Sequence, residues 1–247
     1  MTATRTPVTT TTWARSRRTR RVAFALLGAA GGLAVVTTVP SSAEARTTAG
    51  TCVATSHTTN WKAALTAADQ ALGRARTDLQ HRHYVKATRH LRVMKRQALT
   101  ANTAATRLIG KPPTDPESDD PPGVTAVLRV SGFDHTLTMA LIPLFSDPRG
   151  HHVVAPLGKG LNTVVACRDR MLNRVIALKP GARDDYVDGL SDTVPVYAKE
   201  LTALSTALAG DALTPAGRTA LQRAQHVVTA TDAAMERVFG GGERSAG

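Results

Sequence analysis

Residues 84–108 read YVKATRHLRVMKRQALTANTAATRL. Tyr84, Ala87, Leu91, Met94, Ala98, Ala101, Ala105 and Leu108 recur there at alternating steps of three and four. That is the period of one face of an α-helix turned toward a core. Arg82, Lys86, Arg89, Arg92 and Arg96 fall roughly opposite that row, so the same helix shows water a nearly pure cationic face. Both the fold class and the leading candidate site are read from this stretch.

The same periodicity extends in both directions. Upstream, Trp61, Leu65, Ala68, Leu72, Ala75 and Leu79 form another row. From Leu79 to Tyr84 the step is five, which swings the apolar face by about 140° at 100° per residue. This break predicts a turn or kink near Gln80–His83, giving two helices, with one bent helix as the alternative. Downstream, Val127, Val130, Leu137, Leu141 and Leu144 outline a third helix, which Pro143 should kink or shorten. Asp147-Pro148-Arg149-Gly150 reads as a turn. Val154, Leu157, Leu161, Val164, Met171, Val175 and Leu178 mark a long fourth helix, weakened early by Gly158 and Gly160 and stopped by Pro180-Gly181. Val194, Tyr197, Leu201, Leu204 and Leu208 mark a fifth, entered from a short helical turn at Asp184–Leu190. The sixth starts with Thr214 as N-cap and Pro215 at the first helical position, carries Leu221, Ala224, Val228, Met235 and Val238, and stops at Gly240. No sustained period-two alternation occurs. The expected fold is all-α, an antiparallel bundle of about five to six helices.

Two segments differ in character. Residues 111–123, Lys111 to Gly123, hold five prolines and four acids, and read as an extended acidic linker inside the bundle domain of residues 61–239. The acids lack the spacing of a calcium-binding loop. Residues 1–45 read as an export signal. Arg15, Arg17, Arg18, Arg20 and Arg21 precede the apolar run Val22–Val39, and Ala43-Glu44-Ala45 supplies a small-x-small cleavage pattern. Arg20-Arg21 loosely fits a twin-arginine signal, which leaves the export route open. Residues 46–60 form a flexible N-terminal segment and 240–247 a disordered tail.

Composition bounds the function. The 247 residues carry 31 Lys+Arg against 19 Asp+Glu, a net charge of +12, with 4% aromatics and two cysteines. A single long apolar run excludes a polytopic membrane protein. Removing residues 1–45 takes away six arginines and Glu44 and lowers the net charge to +7. Cys52 and Cys167, an even pair in an exported chain, should form a disulfide. A lipid anchor at Cys52 is the weaker reading, because the apolar run ends well before it. The Ala/Arg/Thr-rich make-up resembles exported proteins of GC-rich bacteria.

The remaining charge is uneven. Residues 61–111 hold eleven Lys+Arg against Asp69 and Asp78, a net of +9, whereas residues 112–247 carry −3. Arg82, Lys86, Arg89, Arg92 and Arg96 are therefore the candidate polyanion-binding residues, with anionic cell-wall polymer or lipid head groups as partners. The competing reading pairs them internally with the acidic linker or with Asp184, Asp185, Asp188 and Asp192. Nucleic acid fits poorly, since export removes the target and few aromatics remain for stacking.

Metal and catalytic patterns are weak. His81 and His83 point apart on a helix, and His83 and His90 would lie two turns, about 10 Å, apart. Cys167 and Met171 offer a pair of sulfurs only if the cysteine is free. None of Glu117, Glu200, Glu236 and Glu243 has a histidine three positions later, as a di-iron bundle requires. Nucleophile-elbow, zinc-protease and phosphate-loop motifs are absent. No metal, no cofactor and no catalytic residue is assigned. The expected function is that of a secreted, non-enzymatic binding or structural module at the bacterial cell envelope. The alternative is a small-ligand or metal carrier with a site between helices.

Overall fold

The computed structural model describes residues 52, 60–112 and 121–239. Among these there are seven helices and no strand: α1 (Trp61–Gln80), α2 (Tyr84–Leu108), α3 (Pro122–Leu141), α4 (Val154–Ile176), α5 (Pro180–Ser191), α6 (Val194–Ala209) and α7 (Pro215–Phe239). The expected all-α bundle is what the chain forms. The expected signal peptide, the flexible segment and the tail lie outside the described residues, except for Cys52 and Asn60.

The phase break at Gln80–His83 separates α1 from α2. Asn60 caps α1 by accepting from the Ala63 amide. At its other end the His83 amide donates to Asp78 O, and Arg82 adopts a positive φ of 60°. The resulting hairpin packs Ala64, Ala68, Ala71 and Ala75 of α1 near Ala87, Ala98, Ala101 and Ala105 of α2, all of them buried. Alanine faces let helix backbones approach closely but bury little area per residue.

Prolines set more helix starts than the sequence reading assigned them. Pro122, read as part of the linker, is at the N-terminus of α3, and Pro180, read as a stop, opens α5. Proline is pre-organised for the first helical turn, where its missing N–H costs nothing. A full helix of 12 residues therefore replaces the expected short turn and raises the count to seven. Pro143 acts as expected: α3 ends at Leu141 and continues as a 3₁₀ turn, Ile142–Phe145. Asp147 then closes the next turn, its carbonyl accepting from the Gly150 amide and its carboxylate from the Arg149 amide.

α4 is the central element, packed against α2, α3 and α7, while α6 packs on α7. Gly158 and Gly160, read as weak points, are places where neighbouring helices approach α4 closely. A Cβ on Gly158 would lie 2.9 Å from the Ala220 Cβ of α7, and one on Gly160 would lie 3.0 Å from Met94 Cε of α2. Leu157, Leu161, Val164, Met171, Leu172 and Val175 fill the centre. No helix among the described residues is long and apolar enough to cross a membrane.

The two cysteines are joined. Cys52 and Cys167, 115 positions apart in sequence, form a disulfide with Cα atoms 5.2 Å apart. The bridge is buried against Ala166, with Leu99 beside it. Cys52 O also accepts from the Thr103 hydroxyl of α2, so residue 52 is held to both α2 and α4.

Candidate functional site

Two arrangements carry chemistry. The first is the cationic face. Lys86, Arg89, Arg92 and Arg96 stand on α2, with Arg82 in the turn before it, and all five are exposed. At a rise of 1.5 Å per residue, the four on the helix span about 15 Å. None of the five makes an ion pair with a described carboxylate. Asp184, Asp185, Asp188 and Asp192 do not reach them, so that half of the internal-pairing reading does not hold. The linker acids at 115–120 lie outside the described residues.

Beside this face, the α1–α2 hairpin gathers groups that the sequence reading kept apart. Asp78, on the last turn of α1, offers one oxygen to His83 Nδ1 and the other to His90 Nε2, each at 3.5 Å. His83 belongs to the turn rather than to the helix, so the two-turn separation assumed for His83 and His90 does not apply. An open depression of about 400 Å³ adjoins them, lined by Gln70, Gly73, Arg74, Thr77, Asp78 and His90. No group of three His, Cys, Asp or Glu side chains among the described residues is arranged to hold a metal.

The second arrangement is internal. Four helices place ionisable or polar side chains in one buried cluster: Asn102 (α2), Asp134 (α3), Arg168 (α4), and Tyr197 and Glu200 (α6), each no more than 2% exposed. Arg168 donates to Glu200 Oε2 at 2.7 Å and lies 4.9 Å from the Tyr197 ring centroid. Asn102 Nδ2 donates to Asp134 Oδ2 at 2.7 Å. His135 is at the rim, its side chain 22% exposed and its Nδ1 3.8 Å from Glu200 Oε2, an ion-pair distance rather than a hydrogen bond. Ser131 faces the Tyr197 hydroxyl without reaching full hydrogen-bond geometry. Next to Arg168, Asp169 accepts from Asn173 and from Thr231 of α7.

The environments separate the two buried carboxyls. Burial pushes Asp134 up to about 8, outweighing the Asn102 hydrogen bond and the Arg168 charge. Burial acts on Glu200 too, but the Arg168 charge and the His135 and Arg168 contacts hold it below the ordinary carboxylate range. Burial also raises Tyr197 to about 12, so it stays a phenol. Arg168 loses solvation, yet its neighbours keep it charged. Near neutral pH the cluster therefore holds a protonated Asp134 beside an Arg168–Glu200 ion pair.

The sequence reading missed this cluster, although it left a trace. The third row jumps from Val130 to Leu137 and the fourth from Val164 to Met171, seven residues each. Asp134 and Arg168 occupy the skipped core positions. In α7 the gap from Val228 to Met235 likewise holds the buried Thr231. In α6, Leu201 was given the core position, but it is only half-buried and Glu200 faces inward instead. A heptad gap filled by a charged residue was the available signal.

Comparison with known proteins adds no relative: no family model, no curated protein and no solved structure matches this chain.

Proposed function

We propose that this chain is a secreted, non-enzymatic binding or structural module of the bacterial cell envelope. It would dock anionic cell-wall polymer or lipid head groups on the cationic face of α2. The observation that carries the reading is the set Arg82, Lys86, Arg89, Arg92 and Arg96, all exposed and none neutralised by a described carboxylate. An uncompensated run of like charge at three- and four-residue steps costs stability in an isolated helix, so its retention favours an external partner. The disulfide is compatible with export to an oxidising compartment.

Co-sedimentation with anionic lipid vesicles, or with a polyanionic wall polymer, tests the reading. Each basic residue near an anionic surface contributes about 1 kcal/mol, so Arg89→Gln, Arg92→Gln and Arg96→Gln together should weaken binding about 100-fold. Binding should also fall steeply with salt. Salt-independent binding, or none at low salt, sinks the proposal.

The second reading, a small-ligand or metal carrier with its site between helices, draws support from the interior cluster, whose polar atoms are not all bonded to one another. Native mass spectrometry of freshly prepared protein distinguishes the two: a stoichiometric ligand favours the carrier, and a bare mass favours the surface module.

A further inference from the structure

The interior cluster is under-satisfied in a specific way. Asp134 Oδ1, Glu200 Oε1, Arg168 Nε, Tyr197 OH and Asn102 Oδ1 are buried and have no hydrogen-bond partner. An orphaned buried polar group costs about 1–3 kcal/mol, and native interiors leave few of them. Five in one place would consume much of a domain's total stability of about 5–15 kcal/mol. The atoms are also chemically mixed. Glu200 Oε1 and Asn102 Oδ1 only accept, Arg168 Nε only donates, and the Tyr197 hydroxyl does both. Water, with two donors and two acceptors, matches such a set, and buried waters typically make about three bonds to polar groups of this kind.

We propose that the bundle encloses a hydrated proton-binding site, in which water bridges the unpartnered atoms of Asn102, Arg168, Tyr197 and Glu200 and Asp134 takes up the proton. The geometry indicates which oxygen carries it. Asp134 Oδ2 already accepts from Asn102 Nδ2 at 2.7 Å, so the proton resides on the free Oδ1 and is donated to water. The groups that set the balance come from three neighbouring helices, Asn102 from α2, Arg168 from α4, and Tyr197 and Glu200 from α6, with His135 on its own helix at the rim. One guanidinium neutralises one carboxylate. Burial is the main reason Asp134 keeps its proton up to about pH 8, and the Glu200 charge adds to it against the opposing Asn102 hydrogen bond and Arg168 charge. The proton exchanges with solvent past His135, the cluster member with appreciable exposure.

Carbon-13 NMR of the oxidised full chain, labelled at aspartate Cγ, reads this directly. One carboxyl should titrate about four units above the ordinary value, and its transition should be absent in Asp134→Asn. Asn102→Ala removes the donor to Oδ2 and should move the same transition higher still, a check that does not need Asp134→Asn to fold. A high-resolution crystal structure should show ordered water bonded to the orphan atoms. The proposal is overturned if no aspartate titrates above about pH 7, if the alkaline transition survives in Asp134→Asn, or if the cluster is dry with its side chains re-paired.

Discussion

Asp134→Asn should change how stability depends on pH, with a sign fixed by the site. In the unfolded chain an aspartate carboxyl is ionised above about pH 4. In the folded chain Asp134 keeps its proton up to about 8. Between those values the native state binds more protons than the unfolded state, so stability falls as pH rises and levels off above about 8. The slope approaches 1.4 kcal/mol per pH unit, and the ceiling over the window is about 6 kcal/mol, one pKa unit being about 1.4 kcal/mol. Relaxation and internal water reduce such penalties, so about half the ceiling is the expected loss. Glu200, held low, acts oppositely: its contribution is lost only as pH falls through the carboxylate range. Asp169 and Asp232, also raised by burial, act in the same direction as Asp134, so over the window from about pH 5 to 9 its share is read as the difference between wild type and Asp134→Asn. Asparagine keeps the shape and cannot ionise. Urea unfolding of both oxidised proteins across that window, with unchanged m-values, should show wild type losing clearly more stability than Asp134→Asn. Parallel profiles would refute the assignment of Asp134 as the neutral buried acid.

Other outcomes follow from the same contacts. Arg168→Met strands Glu200 without its partner and should cost about 3–5 kcal/mol in urea unfolding, whereas Arg168→Met with Glu200→Gln should cost clearly less than the sum of the single changes. Reducing the Cys52–Cys167 bridge opens a loop with 115 residues of separation, and the chain-entropy estimate is a loss of about 4–5 kcal/mol, read as a lower denaturation midpoint. Gly158→Ala places a Cβ 2.9 Å from the Ala220 Cβ. It should cost about 1–3 kcal/mol by overpacking, part of which Ala220→Gly should restore; a neutral Gly158→Ala would show that α4 and α7 can separate freely.

The sequence made the helices legible wherever the apolar rows were continuous. The rows from Trp61 to Leu79 and from Tyr84 to Leu108 correspond to α1 and α2, and the five-residue step between them marks the turn. Helix starts were harder to read, because proline at Pro122 and Pro180 looks the same whether it ends one helix or opens the next. The cationic face was readable because exposure on α2 depends only on position around one helix. Charge compensation was not, since neutralisation by distant aspartates depends on how other helices lie.

By itself, then, the sequence determined the coiled segments with continuous apolar rows, most of their inward faces and where the basic charge collects, because these follow from periodicity within one segment. Only the tertiary structure decided that Asp134, Arg168, Glu200 and Asn102 meet, and that His83 and His90 share Asp78. Each of the two hydrogen bonds in the cluster joins residues 32 positions apart. Whether a charge at a core position is stranded or partnered depends on what the neighbouring helix places opposite it, and no pattern within a single helix carries that information.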